Sequence, residues 1–113
     1  MDKFIVTIAE AIEQLKEEKE QVFTVMMKHG NMSIEYFAPK ITDSQKPHSQ
    51  DELYLIISGQ SEFYRNGEVI NCSKGDVIFV PAGMEHHFVN FSDDFATWVI
   101  FYGEDKSNRD AIS

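Results

Sequence analysis

Between Thr7 and Gln21 the apolar positions recur at helical spacing. Ile8, Ile12 and Leu15 form a stripe with Ala11 beside it, while Glu13, Lys16, Glu17, Glu18, Lys19 and Glu20 face away. Thr7 and Glu10 stand as a capping box, each side chain placed to satisfy a free backbone amide of the first turn. The spacing predicts a one-stripe helix from residue 8 to about residue 21 that docks on another layer. From Val22 onward the period shortens to two. Strands are predicted over 22–28, 32–38, 52–58, 60–65, 68–72, 76–80, 86–91 and 97–102, with a polar loop over 39–50. Turn chemistry separates them: His29-Gly30-Asn31, Gly59, Asn66-Gly67, Gly75-Asp76 and Pro81-Ala82-Gly83. Eight short strands joined by tight turns predict an all-β sandwich or barrel with a short N-terminal α-helix.

The segment 52–58 is apolar on both faces: Tyr54 and Ile56 share a side with Glu52, and Leu53, Leu55 and Ile57 take the other. A strand covered on both sides implies an outer layer outside the barrel. One short helix covers little of a sheet, so a second copy of the chain, in a homodimer, is the expected cover. The organisation reads as an N-terminal extension with the helix (1–21), a barrel (22–103) and a polar tail (104–113).

Composition narrows the function classes. At 113 residues and 42% apolar content the chain builds a single core without staples. Ten Lys and Arg against 19 Asp and Glu leave a formal charge of −9, which argues against nucleic acid and anionic membranes as partners. The single cysteine, Cys72, forms no internal disulfide and fits a reducing compartment. The N-terminus carries no small-residue cleavage site, and no apolar run approaches the roughly 18 residues of a membrane span. A soluble, cytoplasmic chain is the expectation.

Two stretches carry candidate chemistry. One is His48-Ser49-Gln50-Asp51-Glu52 running into an apolar strand. The other is 75–90, with Gly75, Pro81, Gly83, His86 and Asn90. Those five residues fill the positions glycine, five residues, proline, one, glycine, two, histidine, three, asparagine, and Glu52 and Gly59 are separated by six. In these motifs the chain resembles the cupins, over roughly residues 32 to 102, which implies a double-stranded β-helix (jelly-roll) barrel. The family's first histidine position is held by Lys46, and a protonated lysine cannot ligate a metal. The resemblance therefore implies three metal ligands, His48, Glu52 and His86.

Two histidines and one carboxylate suit non-haem Fe, Zn or Mn, and the residues do not choose among these divalent ions. Neutral imidazoles and one carboxylate would leave the loaded site cationic, suited to anionic or enolisable oxygen ligands. Gln50 is a candidate fourth, weak ligand, and Tyr54 a candidate catalytic acid or hydrogen-bond donor. Tyr54, Ile56, Phe79, Phe88, Trp98 and Phe101 are candidate wall residues, although Trp98 and Phe101 have opposite parity. Alternation turns His87 outward, and His29 lies in a solvent-facing turn. A competing structural reading leaves His48 as a loop histidine, with Glu52 paired to Lys46 or Arg65. Two functions stay open: a metal-dependent enzyme acting on a small oxygenated metabolite, of dioxygenase, isomerase or lyase type, and a non-catalytic binding or sensor protein.

Overall fold

The computed structural model describes residues 3–106. It holds α1 (Ile8–Glu17) and eight strands: β1 (Phe23–His29), β2 (Met32–Phe37), β3 (Asp51–Ser58), β4 (Gln60–Arg65), β5 (Glu68–Ser73), β6 (Val77–Val80), β7 (His86–Val89) and β8 (Ala96–Tyr102). Two antiparallel sheets face each other, one ordered β1-β2-β8-β3-β6 and the other β5-β4-β7. The fold is the expected jelly roll. Between the sheets lies a core that includes Phe37, Tyr54, Ile56, Phe63, Phe88 and Phe95. None of the described helices is long and apolar enough to cross a membrane. Residues 107–113 of the expected polar tail lie outside the described residues, whereas Lys106 is tied back, its ammonium 3.2 Å from Asp51 Oδ1.

The capping box forms as expected, with Thr7 Oγ1 accepting from the Glu10 amide. The helix ends at Glu17, earlier than its helix-favouring sequence predicts. Tertiary docking overrides propensity here. Gln14 Nε2 donates to the Val25 carbonyl at 2.9 Å and the Thr24 hydroxyl donates to Glu18 at 2.8 Å, which draws the chain back along β1. Glu20 takes a left-handed φ of 70° to complete the reversal. Ala11 is fully buried against a small cluster of Met26, Tyr36 and Ala96, its missing bulk letting the helix approach the sheet closely. Ile8 and Ile12 remain largely exposed, so α1 covers only one corner of the five-stranded sheet.

The rest of that outer face is apolar. Across β2, β8, β3 and β6 the ladders align Ile34, Ile100, Leu53 and Phe79 in one row, and Tyr36, Trp98, Leu55 and Val77 in the next. Phe79, expected in the cavity wall, instead points outward and is 45% exposed, because the inward positions of β6 belong to Ile78 and Val80. Trp98 likewise faces outward against Tyr36, while Phe101 faces the interior.

Two turns fix strand register. Asn66 and Gly67 both adopt positive φ, 49° and 91°, as a two-residue hairpin requires. Gly59 connects β3 to β4 at φ 76°, where an added Cβ would meet the Phe95 backbone at 2.8 Å. Only glycine fits there.

Candidate metal centre

Three elements deliver three donors to one place. Glu52 enters from β3, between Val80 of β6 and Phe101 of β8. His86 opens β7, opposite Arg65 of β4 in the other sheet. His48 comes from the loop before β3, and its carbonyl accepts the Gly83 amide at 2.8 Å. Beside it, Asp51 Oδ1 accepts the Ala82 amide at 2.9 Å. These two bonds tie the Pro81–Gly83 corner to His48 and to the start of β3. One ligand atom from each of His48, Glu52 and His86 lies within 4.8 Å of the others.

Burial and tautomer define the electrostatics. Glu52 and His86 are each 1% exposed. His86 Nδ1 lies 2.8 Å from the Met84 carbonyl, which can only accept, so Nδ1 carries the proton and the lone pair of a neutral imidazole sits on Nε2. Nε2 approaches Glu52 Oε1 to 2.7 Å, yet this atom and both Glu52 oxygens lack a properly aligned hydrogen bond. Lone pairs aimed at one another in a dry interior need a cation or a proton between them. Burial pulls the His86 imidazole down, but the facing Glu52 carboxylate and the Met84 carbonyl outweigh it and raise its pKa. For His48 burial prevails, aided by His86 against the pull of Glu52 and Asp43, and its pKa falls below the ordinary value.

A polar brace surrounds the cluster. Asp43 Oδ2 accepts the Phe88 amide at 2.8 Å, a donor on β7 that, among the described residues, has no further strand beside it at the edge of the three-stranded sheet. Asp43 also accepts from Gln45 Nε2 at 2.8 Å, which turns the Gln45 carbonyl inward. That oxygen accepts the Tyr54 hydroxyl at 3.2 Å and lies 3.3 Å from His48 Nε2. Tyr54 is fully buried. Burial, and then the charge of Glu52, lift its phenol well above the usual value, so it stays a proton donor at neutral pH.

Several expectations change here. Gln50 donates to the carbonyls of Asn31 and Gly103, so it is turned away, and Gln45 holds the amide position beside His48. Glu52 meets His86 rather than Lys46 or Arg65, and Lys46 is exposed. His87 stacks on Tyr64 outside the barrel, with ring centroids 4.8 Å apart, and His29 is exposed. A cavity of about 380 Å³ reaches the cluster through His48 and is walled by Phe37, Val99 and Phe101, with Glu35, Asp43 and Gln45 among its polar groups. Asp43, Gln45 and Glu35 were not anticipated. The first two sit in an irregular loop where no periodicity applies.

The donor set, two imidazoles and a carboxylate in a buried pocket, is chemically suited to a divalent cation. Residues 33–102 match the family model of the cupin domain, Cupin_2, and the chain belongs to that family. It is 39% identical over 77 residues to an uncharacterised protein of Streptomyces coelicolor, covering 66% of this chain and 73% of that one. It is 33% identical over 95 residues to an acireductone dioxygenase of Hahella chejuensis, covering 77% of this chain but only half, 50%, of the relative. Among solved structures, a Cupin 2 conserved barrel domain protein of Salinispora arenicola superposes with a TM-score of 0.68 over 99% of this chain and 98% of the other, at 17% identity.

Proposed function

We propose that the chain is a metal-dependent cupin enzyme of dioxygenase, isomerase or lyase type, acting on a small oxygenated metabolite, with His48, Glu52 and His86 as the ligands of one divalent ion. The observation that carries this reading is the convergence of buried donor atoms that lack an aligned hydrogen bond among the described residues: both Glu52 oxygens and His86 Nε2. When bound, the ion would supply Lewis-acid polarisation or redox chemistry. The chain's own residues do the rest. Met84 fixes the His86 tautomer, and the Gly83–His48 backbone bond holds both histidine segments in register. Phe37, Val99 and Phe101 wall the cavity, and the Tyr54 hydroxyl, which stays protonated and donates to Gln45, is the candidate hydrogen-bond donor for a ligand beside the cluster. The likeness to acireductone dioxygenases supports an oxygenated substrate, although it spans only about half of such a protein. We place the protein in the cytoplasm, and assign the uncovered apolar rows of the five-stranded sheet to a homodimer contact.

A second reading, a non-catalytic ligand-binding or sensor protein, is favoured by one observation: exposed Lys46 leaves the site a donor short. Protein purified without chelator from medium containing Fe, Mn and Zn decides between them, by elemental analysis followed by turnover of small enediols, keto acids and catechols. The enzyme reading expects near one metal per chain and turnover that His86→Ala abolishes while the fold persists. Metal-free wild-type protein would sink it, and metal with ligand binding but no turnover would favour the sensor.

A further inference from the structure

The inward row of β2 breaks the apolar rule of the barrel interior. Glu35 and Phe37 line the cavity and Ser33 shares their face of the strand; in the ladder Glu35 lies opposite Val99, with Ser33 opposite Phe101. An apolar side chain would pack there without cost. A carboxylate among Val99, Phe37 and Phe101 loses hydration and needs a compensating partner. Among the described residues it has neither a hydrogen bond nor a contact ion pair; Lys28, in the adjoining groove, acts on it only at longer range. Burial first, and the Glu52 charge second, raise the Glu35 pKa against the pull of Lys28.

Position gives this carboxylate a use. Glu35 and His48 line the same cavity of about 380 Å³, near the small end of ligand pockets, which run from about 300 to 1,000 Å³. Asp43, the other carboxylate there, already accepts from Gln45 and Phe88, so Glu35 is the free acceptor. Among the described residues no Lys or Arg lines this cavity, and Lys28 shares only the adjoining groove with Glu35 and His48. A ligand with one oxygen group toward the cluster would meet Glu35 with another of its groups, and there a carboxylate or phosphate meets like charge and a donor meets an acceptor.

We propose that Glu35 sets ligand specificity in this cavity by accepting a hydrogen bond from a hydroxyl or ammonium group of a small ligand that chelates through oxygen at the cluster. The inference rests on the metal-site reading and names the chemical class of ligand the site takes. It excludes ligands with an anionic second end.

The test uses the full chain loaded with Zn²⁺ and calorimetric binding of four hydroxamates sharing one chelating head. Their three-carbon chain, counted from the hydroxamate carbonyl, ends in methyl, hydroxyl, ammonium or carboxylate. Wild type is expected to bind the ammonium and hydroxyl ligands at least tenfold more tightly than the methyl ligand, with the carboxylate weakest. In Glu35→Gln the ammonium preference should shrink to within threefold of methyl, and the carboxylate should gain at least tenfold. Metal stoichiometry and methyl-ligand affinity should not change. Glu35→Asp, which keeps the charge, should keep the order. An unchanged order in Glu35→Gln, or a carboxylate ligand bound best by wild type, overturns the inference. Head-group binding with no tail dependence overturns it while sparing the metal site. Failure of the chain to take up Zn²⁺ overturns both.

Discussion

At a pH where His86 is neutral, replacing Glu52 by Gln should make the metal-free protein more stable and the metal-loaded protein less so. The carboxylate is 1% exposed, 2.7 Å from a His86 nitrogen that carries a lone pair when neutral, and neither of its oxygens has an aligned hydrogen bond. A Gln amide keeps the shape and can donate to Nε2, since Nδ1 is committed to Met84. It removes a buried charge and adds one hydrogen bond, for a gain of about 1–3 kcal/mol in the empty state. Loading reverses the order. Metal at a hundredfold excess over its dissociation constant stabilises wild type by about 2.7 kcal/mol, or roughly 10 °C in melting temperature for a domain of this size, and the variant, short of its anionic ligand, should gain almost nothing. Urea and thermal unfolding of chelator-dialysed and Zn²⁺-loaded samples read both differences. If the Glu52–His86 contact were a satisfied ion pair, the empty variant would lose about 3–5 kcal/mol. That loss, with metal stabilisation retained, would refute the reasoning.

Other consequences are independent of the metal. Gly59→Ala forces a left-handed residue onto the Phe95 backbone and should cost about 2–4 kcal/mol in urea unfolding; a loss under 1 kcal/mol would contradict the contact geometry. Burial, and then the Asp76 charge, push the Cys72 thiol from 9.0 to about 11. The folded state therefore disfavours the thiolate: stability is intact below pH 9 and falls as pH rises from there to about 11. Two units lower the thiolate fraction about a hundredfold, so iodoacetamide at pH 8.5 should spare native protein and alkylate unfolded chains, and similar rates in the two would count against it. Phe79→Lys, on the exposed apolar row, should shift the sedimentation mass from twice 13.0 kDa to 13.0 kDa; an unchanged dimer would locate the contact elsewhere, and a monomeric wild type would reject it.

Much of the fold was legible because strand period, turn chemistry and motif spacing pointed the same way. Glu52, Tyr54 and Ile56 share the inner face as alternation required, and the Asn66-Gly67 hairpin falls where its dipeptide placed it. In β2 alternation misleads. Ile34 and Tyr36 look like the core positions, yet they face outward, Tyr36 beneath α1, while Glu35 faces the cavity. A barrel with an apolar outer layer and a polar site inside inverts the usual rule. Gln45 and Asp43 were illegible for another reason: their roles depend on how an irregular loop crosses to β7, which no local pattern encodes. Helix length failed where two side-chain bonds to β1 outweighed the propensity of a Glu- and Lys-rich run.

The central claim is that His48, Glu52 and His86 share one cation. Anomalous diffraction at the absorption edge of the metal found in crystals of chelator-free protein tests it directly. A shared cation gives a single peak per chain at about 2.0–2.2 Å from a nitrogen of each histidine and an oxygen of Glu52. A metal peak at another place in the fold, or crystals grown with metal in excess that keep Glu52 and His86 in direct contact and show no peak, would contradict it.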